Sequence, residues 1–458
     1  MRADHERSIQ THRARDLAVL GALVLVGVAL RSQHLASPFF YDEAIYVNLA
    51  HHPLHSDFYP DPVFFRHPPA HHLLLAAWER IAGDGEIAMR LPSLLFAGAT
   101  IVVTYLLGCC VLPNRAALAA TALLTLSVLH QQYSQAATMY AMASFFVTLC
   151  VYGMTSRDER LVAVGFLGAI YTHYFGLFLA PSLLLFYHRR YDGRWKPIAG
   201  RLALYAAAYS PWIAVGLQGM AFHASRPSGL QGWEFHWLNV LRQLSLALLA
   251  GALSLLFVQR RNRTLQPGLV VCGLFLLAAP RLVPFQRYLV PFLPILIVLG
   301  VAGLAALYAA VIERFRIRST AGRAAVAAVG LLGLFLPNPE AYGLYPAMGR
   351  GLDLRDTIHM QEWERIIAAI PDGRVATANA RSLIFYGNLK GVRAYEVVEQ
   401  FEDNPEKFAR LVHKGLNDWI ILSKYPPYDV LIPIVARSER YRRAEEFDYS
   451  VLYEKRAR

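Results

Sequence analysis

Two adjacent carboxylates, Asp42 and Glu43, follow the first long apolar run of a mostly hydrophobic chain, in Phe39-Phe40-Tyr41-Asp42-Glu43-Ala44-Ile45-Tyr46. A carboxylate held at a membrane surface is costly to keep and is placed to act as a base. Neighbouring helical positions point about 100° apart, so the two acids do not share one proton. One suits a general base or metal ligand, and the other suits orienting a helix or binding a sugar hydroxyl. The competing reading is an acid that only faces a positive helix start. Tyr46 follows Asp42 at i+4 and can share its face. Further on, Arg66-His67-Pro68-Pro69 is a cationic turn whose paired prolines can hold both side chains toward one ligand, for which a lipid phosphate is natural at this depth. Acids and turn together point to chemistry on a lipid-borne substrate at the outer membrane face.

Other polar groups fall on the same side. Seven of the 16 histidines (His34, His51, His52, His55, His67, His71 and His72) lie in or beside this first loop. The i, i+4 pairs His51/His55 and His67/His71, with Asp42 and Asp57 nearby, would suit a divalent metal. No tight Cys/His signature accompanies them, so no cofactor is expected. Arg281 and Arg287-Tyr288 sit at the outer ends of late apolar runs, against the usual charge trend, and an anionic headgroup is the simplest reason. His173 and Tyr174, with Gln131, Gln132, Tyr133 and Gln135, line a sugar pocket or form wet helix ends.

The elements that must position these residues are membrane helices. The chain has 458 residues, 55% of them hydrophobic, and its mean hydropathy is +0.32. Uncharged runs recur at 17–30, 91–114, 116–156, 161–188, 202–225, 243–259, 264–280, 288–312 and 324–339. A span needs roughly 20 apolar residues, so the longest runs hold more than one. With a cytoplasmic N-terminus and about eleven crossings, nineteen Lys and Arg residues fall in cytoplasmic segments and eight on the opposite side, the C-terminal tail excluded. The net charge of +12 is therefore a topology signal, not a nucleic-acid footprint. Cys109, Cys110, Cys150 and Cys272 all fall in expected spans, so no disulfide framework is implied. The N-terminal run lacks a small-x-small cleavage site and reads as an uncleaved first span.

Span 1 covers about 17–35, and an outer loop of 36–87 follows. Spans are expected near 88–112, 116–131, 136–154, 202–217, 238–258, 265–280, 287–311 and 324–337. The run 161–188 reads as two short arms folded at Thr172-His173-Tyr174, because a single crossing would move the basic cluster at 189–201 outside. Residues 70–82 are too short to span. They read as an interfacial helix with His71, His72, Glu79 and Arg80 toward water and Leu73, Leu74, Leu75 and Trp78 toward lipid. The tail, 341–458, reads as a small extracytoplasmic α/β domain. Helix-like segments lie at 361–370 and 404–413, strand-like ones at 374–379, 382–385, 392–398 and 418–422, and 430–434, 437–446 and 449–454 close it.

The ordered set Tyr41-Asp42-Glu43-Ala44, His67-Pro68-Pro69, Glu86-Ile87-Ala88-Met89-Arg90-Leu91-Pro92-Ser93, Thr172-His173-Tyr174-Phe175-Gly176 and Arg287-Tyr288-Leu289-Val290-Pro291-Phe292-Leu293-Pro294 resembles the GT-C integral-membrane glycosyltransferases. The branch it is most similar to holds protein O-mannosyltransferases and the lipid A aminoarabinose transferase. The resemblance implies a polyprenyl-phosphate-sugar donor, a lipid, protein or polysaccharide acceptor at the outer face, and inversion at the sugar. It makes Asp42 the base, with Glu43 in support, and Arg66, His67 and Arg287 the groups that meet donor phosphate. Tyr46, Tyr140, His173, Tyr174 and Tyr288 complete the expected substrate-binding set. Relatives often carry an acid and an arginine in a Ser-Gln-Glu-Ala-Arg-Met-Tyr-like segment, where this chain has Ala136 and Thr138 in Ser134-Gln135-Ala136-Ala137-Thr138-Met139-Tyr140.

The expected fold is thus an α-helical polytopic membrane protein of GT-C type. It has a cytoplasmic N-terminus (1–16), a transmembrane domain (17–340) with interfacial helices in its first outer loop, and the tail domain, set in a cytoplasmic membrane. Two rivals remain: a lipid-linked-sugar transporter, which predicts ionisable residues deep in several spans, and a non-catalytic membrane binding protein.

Overall fold

A computed structural model describes residues 2–37, 39, 41–51, 68–224, 248, 250–253, 255, 264–278, 286–335, 363–370, 373–377, 393–397, 405–424, 428–448 and 450–457. The chain divides into two units. The first comprises Met1–Leu35, Leu54–Leu74 and Arg90–Gly351, and the second Ala36–Pro53, Leu75–Met89 and Leu352–Arg458.

The first unit is helical. Its elements are α1 (Arg2–Leu30), α4 (Glu86–Val111), α5 (Asn114–Leu126), α6 (Val128–Ser134), α7 (Tyr140–Ser156), α8 (Glu159–Thr172), α9 (Ala180–Arg190), α10 (Trp195–Ala224), α11 (Gln266–Ala278), α12 (Leu293–Arg314) and α13 (Thr320–Phe335). The helices α2 (Tyr41–His51) and α3 (Ala70–Ala82) precede α4 in the chain. Among the described residues, α4 and α12 are long and apolar enough to cross a bilayer alone. Asn114 Nδ2 donates to Asp16 Oδ2 at one end of the α1/α5 pair (2.9 Å), and Arg31 reaches the Thr125 carbonyl at the other (3.0 Å), so α1 and α5 run parallel.

The expected span 116–131 is not one helix. It breaks at Ser127, whose extended backbone separates α5 from α6 and whose Oγ caps His130 N–H at 3.4 Å. The run 161–188 folds back as expected. Helix α8 ends at Thr172, His173 is extended (φ −154°, ψ 140°), and a 3-10 turn, Tyr174–Leu179, leads into α9. Gly176 comes so close to α8 that a Cβ there would lie 2.6 Å from the Ala169 carbonyl carbon. At the other end, Glu159 takes ion pairs from Arg190 and Arg201, each at 3.0 Å, which brings the starts of α8 and α10 and the end of α9 together.

In the second unit the tail folds as an α/β layer. Helix α14 (Trp363–Ala369) precedes β1 (Arg374–Thr377) and β2 (Arg393–Val397), and α15 (Pro405–Lys414) leads to β3 (Trp419–Ser423). Helix α16 (Ile432–Ala436), β4 (Tyr441–Glu446) and β5 (Ser450–Lys455) complete it. The sheet order is β2-β1-β3-β5-β4, parallel across β2, β1 and β3 and antiparallel on to β5 and β4. Phe408, Leu411 and Val412 of α15 pack with Ile420, Leu422, Val451 and Tyr453 as its core. The segment 382–385 lies outside the described residues.

Candidate active site

Helix α2 carries the acid pair in its first turn. Glu43 has no accessible surface, and Tyr46, Val47 and Ala50, which follow it at helical spacing, are buried with it. The backbone of Asp42 is helical, and its side chain lies outside the described residues, as do Arg66 and His67. The side chains of His51, His52, His55 and Asp57 also lie outside them.

Helix α3 has the expected bounds, but its histidines do not face water and Leu75 does not face lipid. His71 and His72 are buried with Leu75 and Ala76, whereas Leu73 is 51% and Ile81 81% exposed. Leu73-Leu74-Leu75 spans both faces of a 3.6-residue turn, so the apolar triplet does not say which side packs. The two rings meet edge to face at 5.9 Å. Burial lowers the pKa of His72 to about 4 and that of His71 well below its usual value, helped there by His72.

The first unit gathers several of the expected binding residues into one cluster. Tyr140 lies 5.8 Å from His173 and 6.2 Å from Tyr288, and Phe175 packs on Tyr288 at 4.8 Å (ring centroids). The Arg287 guanidinium sits 5.9 Å from the Tyr288 ring centre, within cation–π range. His173 Nδ1 accepts the Phe175 N–H at 3.1 Å, so the neutral imidazole carries its proton on Nε2. The cluster thus combines an imidazole N–H, tyrosine hydroxyls and a cation, a donor set that suits phosphate and sugar hydroxyls. Tyr174 is buried too.

Tyr133, 5.2 Å from Tyr140, leads to a network the sequence did not disclose. Arg31, fully buried, donates to the carbonyls of Gly27 (3.0 Å), Thr125 (3.0 Å) and Leu124 (3.1 Å), and contacts His130 Nδ1 at 2.9 Å. It caps the C-terminal end of α5, where unpaired carbonyls and the helix dipole favour a cation. Arg90, also buried, donates to the Leu35 carbonyl at 2.7 Å. Gln131 donates to the Thr125 carbonyl, and Gln135 accepts from His34 N–H and donates to the Gln131 carbonyl. The crevice beside them has a volume of ≈ 10 Å³, room for about one water. The sequence signals for this network are the polar run of Gln131, Tyr133 and Gln135 and the placement of Arg31 and Arg90 near the outer ends of spans.

Ala136 and Thr138 are fully buried in the turn between α6 and α7, where Thr138 N–H donates to the Ala136 carbonyl at 2.7 Å and Ser93 Oγ to the Thr138 carbonyl at 3.3 Å. Among the described residues no group of three His, Cys, Asp or Glu is arranged to hold a metal.

Residues 66–214 match the model of the dolichyl-phosphate-mannose-protein mannosyltransferase family. No curated protein sequence matches the chain. Among solved structures, ArnT from Cupriavidus metallidurans in the apo state superposes with a TM-score of 0.63 at 13% identity, over 97% of this chain and 98% of that one. ArnT bound to undecaprenyl phosphate gives 0.55 at 15% identity, over 95% and 97%. The Archaeoglobus fulgidus oligosaccharyltransferase in the apo form gives 0.56 at 14% identity, over 95% and 74%. The fold is the GT-C fold.

Proposed function

We propose that this GT-C chain is an integral-membrane glycosyltransferase that moves one sugar from a polyprenyl-phosphate carrier to an acceptor hydroxyl at the outer face of the cytoplasmic membrane. The observation that carries the reading is the nearly end-to-end likeness to ArnT, a protein also solved with undecaprenyl phosphate bound. The family match over 66–214 supports the same donor class.

Asp42 takes the proton of the acceptor hydroxyl as that oxygen attacks the anomeric carbon, and the carrier phosphate leaves from the opposite face, inverting the centre. Arg287, with Arg66 and His67, stabilises charge on the departing phosphate, while His173 and the hydroxyls of Tyr140 and Tyr288 hold donor phosphate or sugar. Tyr174, on the same turn as His173, and Tyr46, on the helix of Asp42, line the substrate path. The phosphate is already a good leaving group, so positioning supplies much of the rate gain. Glu43 keeps α2 in place. With Ala136 and Thr138 in place of an acid and an arginine, charge there plays no part, and the acceptor is gripped elsewhere.

The test is mass spectrometry of the cell envelope from a deletion strain complemented with wild type or Asp42→Asn. Wild type restores a lost glycan feature, and Asp42→Asn at equal expression, with turnover lowered roughly 10²- to 10⁴-fold, does not. Full rescue by Asp42→Asn removes it as the base and moves the protein toward transport or binding.

A further inference from the structure

A second concave site lies in the tail, away from any residue assigned above. At one edge of the sheet, the end of α15, the start of β3 and the ends of β4 and β5 enclose a cavity of ≈ 600 Å³. That volume is in the range of small-molecule sites. Its two carboxylates are already engaged. Asp418 Oδ2 accepts the Arg374 N–H at 2.9 Å, and Glu454 Oε2 takes two bonds from Arg442, at 2.9 and 2.6 Å. Lys414, Arg440, Lys455 and Arg456 also line the cavity. Among the described residues no carboxylate pairs with any of these four. The cavity therefore presents a local excess of positive charge.

Its walls are fixed by backbone. Lys455 N–H donates to the Asp418 carbonyl and Arg456 N–H to the Arg440 carbonyl, each at 2.8 Å. Tyr441 Oη donates to the Asn417 carbonyl at 2.8 Å, tying β4 to the approach to β3. Gly415 ends α15 at φ +62°, and a Cβ there would press on Arg440 Cδ at 3.1 Å, so only glycine lets that arginine lie across the turn. Trp419 supplies an aromatic wall.

We infer that this cavity binds an anionic saccharide, a sugar carrying phosphate or carboxylate. The four unpaired cations meet the acidic group and Trp419 meets the ring. The concave lining, with cations around the Trp419 ring, favours a discrete ligand over a flat bilayer surface. As a grip on an acidic acceptor glycan the site rests on the glycosyltransferase reading; as a binding site it stands without turnover.

The test is calorimetric titration of the full-length protein in zwitterionic nanodiscs with glucose 6-phosphate, glucuronate, glucose and inorganic phosphate. The two acidic sugars should bind at least about tenfold more tightly than either glucose or phosphate, and more weakly as salt rises. Arg440→Glu/Arg456→Glu, with an unchanged melting temperature, should lose at least about tenfold of that affinity; if it misfolds, Arg456→Ala at its exposed position should show a smaller loss in the same direction. Equal binding of glucose and glucose 6-phosphate, or undiminished binding by the folded double variant, overturns the inference. So does capture of wild type, but not the double variant, by phosphatidylglycerol vesicles when no sugar binds. Because no transfer is measured, failure here leaves the Asp42 result untouched.

Discussion

Deleting the Arg31 guanidinium would take its charged donor from the carbonyls of Leu124 and Thr125 and from His130 Nδ1, leaving each with one weaker partner: Ser127 N–H, Gln131 Nε2 and Ser134 Oγ. A hydrogen bond from a charged donor contributes about 1.5–3 kcal/mol, and the remaining partners offset part of the loss, so Arg31→Ala should lose roughly 2–4 kcal/mol. Thermal unfolding of the purified protein should show a drop of at least about 5 °C. Arg31→Lys should recover little, because a compact ammonium does not span the helix end as the fork does. An unchanged melting temperature in Arg31→Ala would remove the capping role. Arg31 could be picked out in the sequence as an arginine on the side poor in basic residues, but its task could not. Its partners are mostly main-chain carbonyls, two of them more than 90 positions away, and a carbonyl leaves no mark in sequence. Tyr140, His173 and Tyr288 were different. Each stood out as a polar side chain at an expected span end, and the structure joins all three in one ring cluster.

At the scale of elements, α7 and α8 pack closely together, with the cluster of Tyr140 and His173 at one end of the pair. A Cβ on Gly165 would run into the Cys150 backbone. Such contact is available only where a side chain is missing, and it drives helix association in a bilayer. Gly165→Val should force α8 away from α7, costing about 3 kcal/mol or more, and should displace His173 at its end. A loss in both melting temperature and donor binding is expected. Gly273→Ala in α11, with no atom within 4 Å of the added carbon, should lose neither. If both variants behave like wild type, the interface does not position the cluster. The turn at His173 was legible because three polar residues interrupt an apolar run. The break at Ser127 was not, since neither glycine nor proline marks it; a serine cap and an arginine from α1 make it.

For the whole molecule, the orientation in the bilayer decides whether the proposed chemistry faces the outside. Glu159, Arg190 and Arg201 tie together one end of α8, α9 and α10, and the basic residues crowd there. The positive-inside rule predicts that this end is cytoplasmic and that the His173 turn, at the far end of α8, faces outward. The tail shares that outer side only if the number of crossings is odd, a parity that hydropathy settles poorly because several described helices are shorter than roughly 20 residues. Single cysteines in a background lacking the four native ones read it directly. Glu439→Cys, at an exposed tail position, should react with an impermeant maleimide in intact spheroplasts, whereas Lys196→Cys should react only after permeabilisation. Labelling of Lys196→Cys alone from outside would make the 161–188 segment a single crossing in effect. Labelling of neither would put the tail in the cytoplasm, where it could not meet an acceptor presented at the outer face.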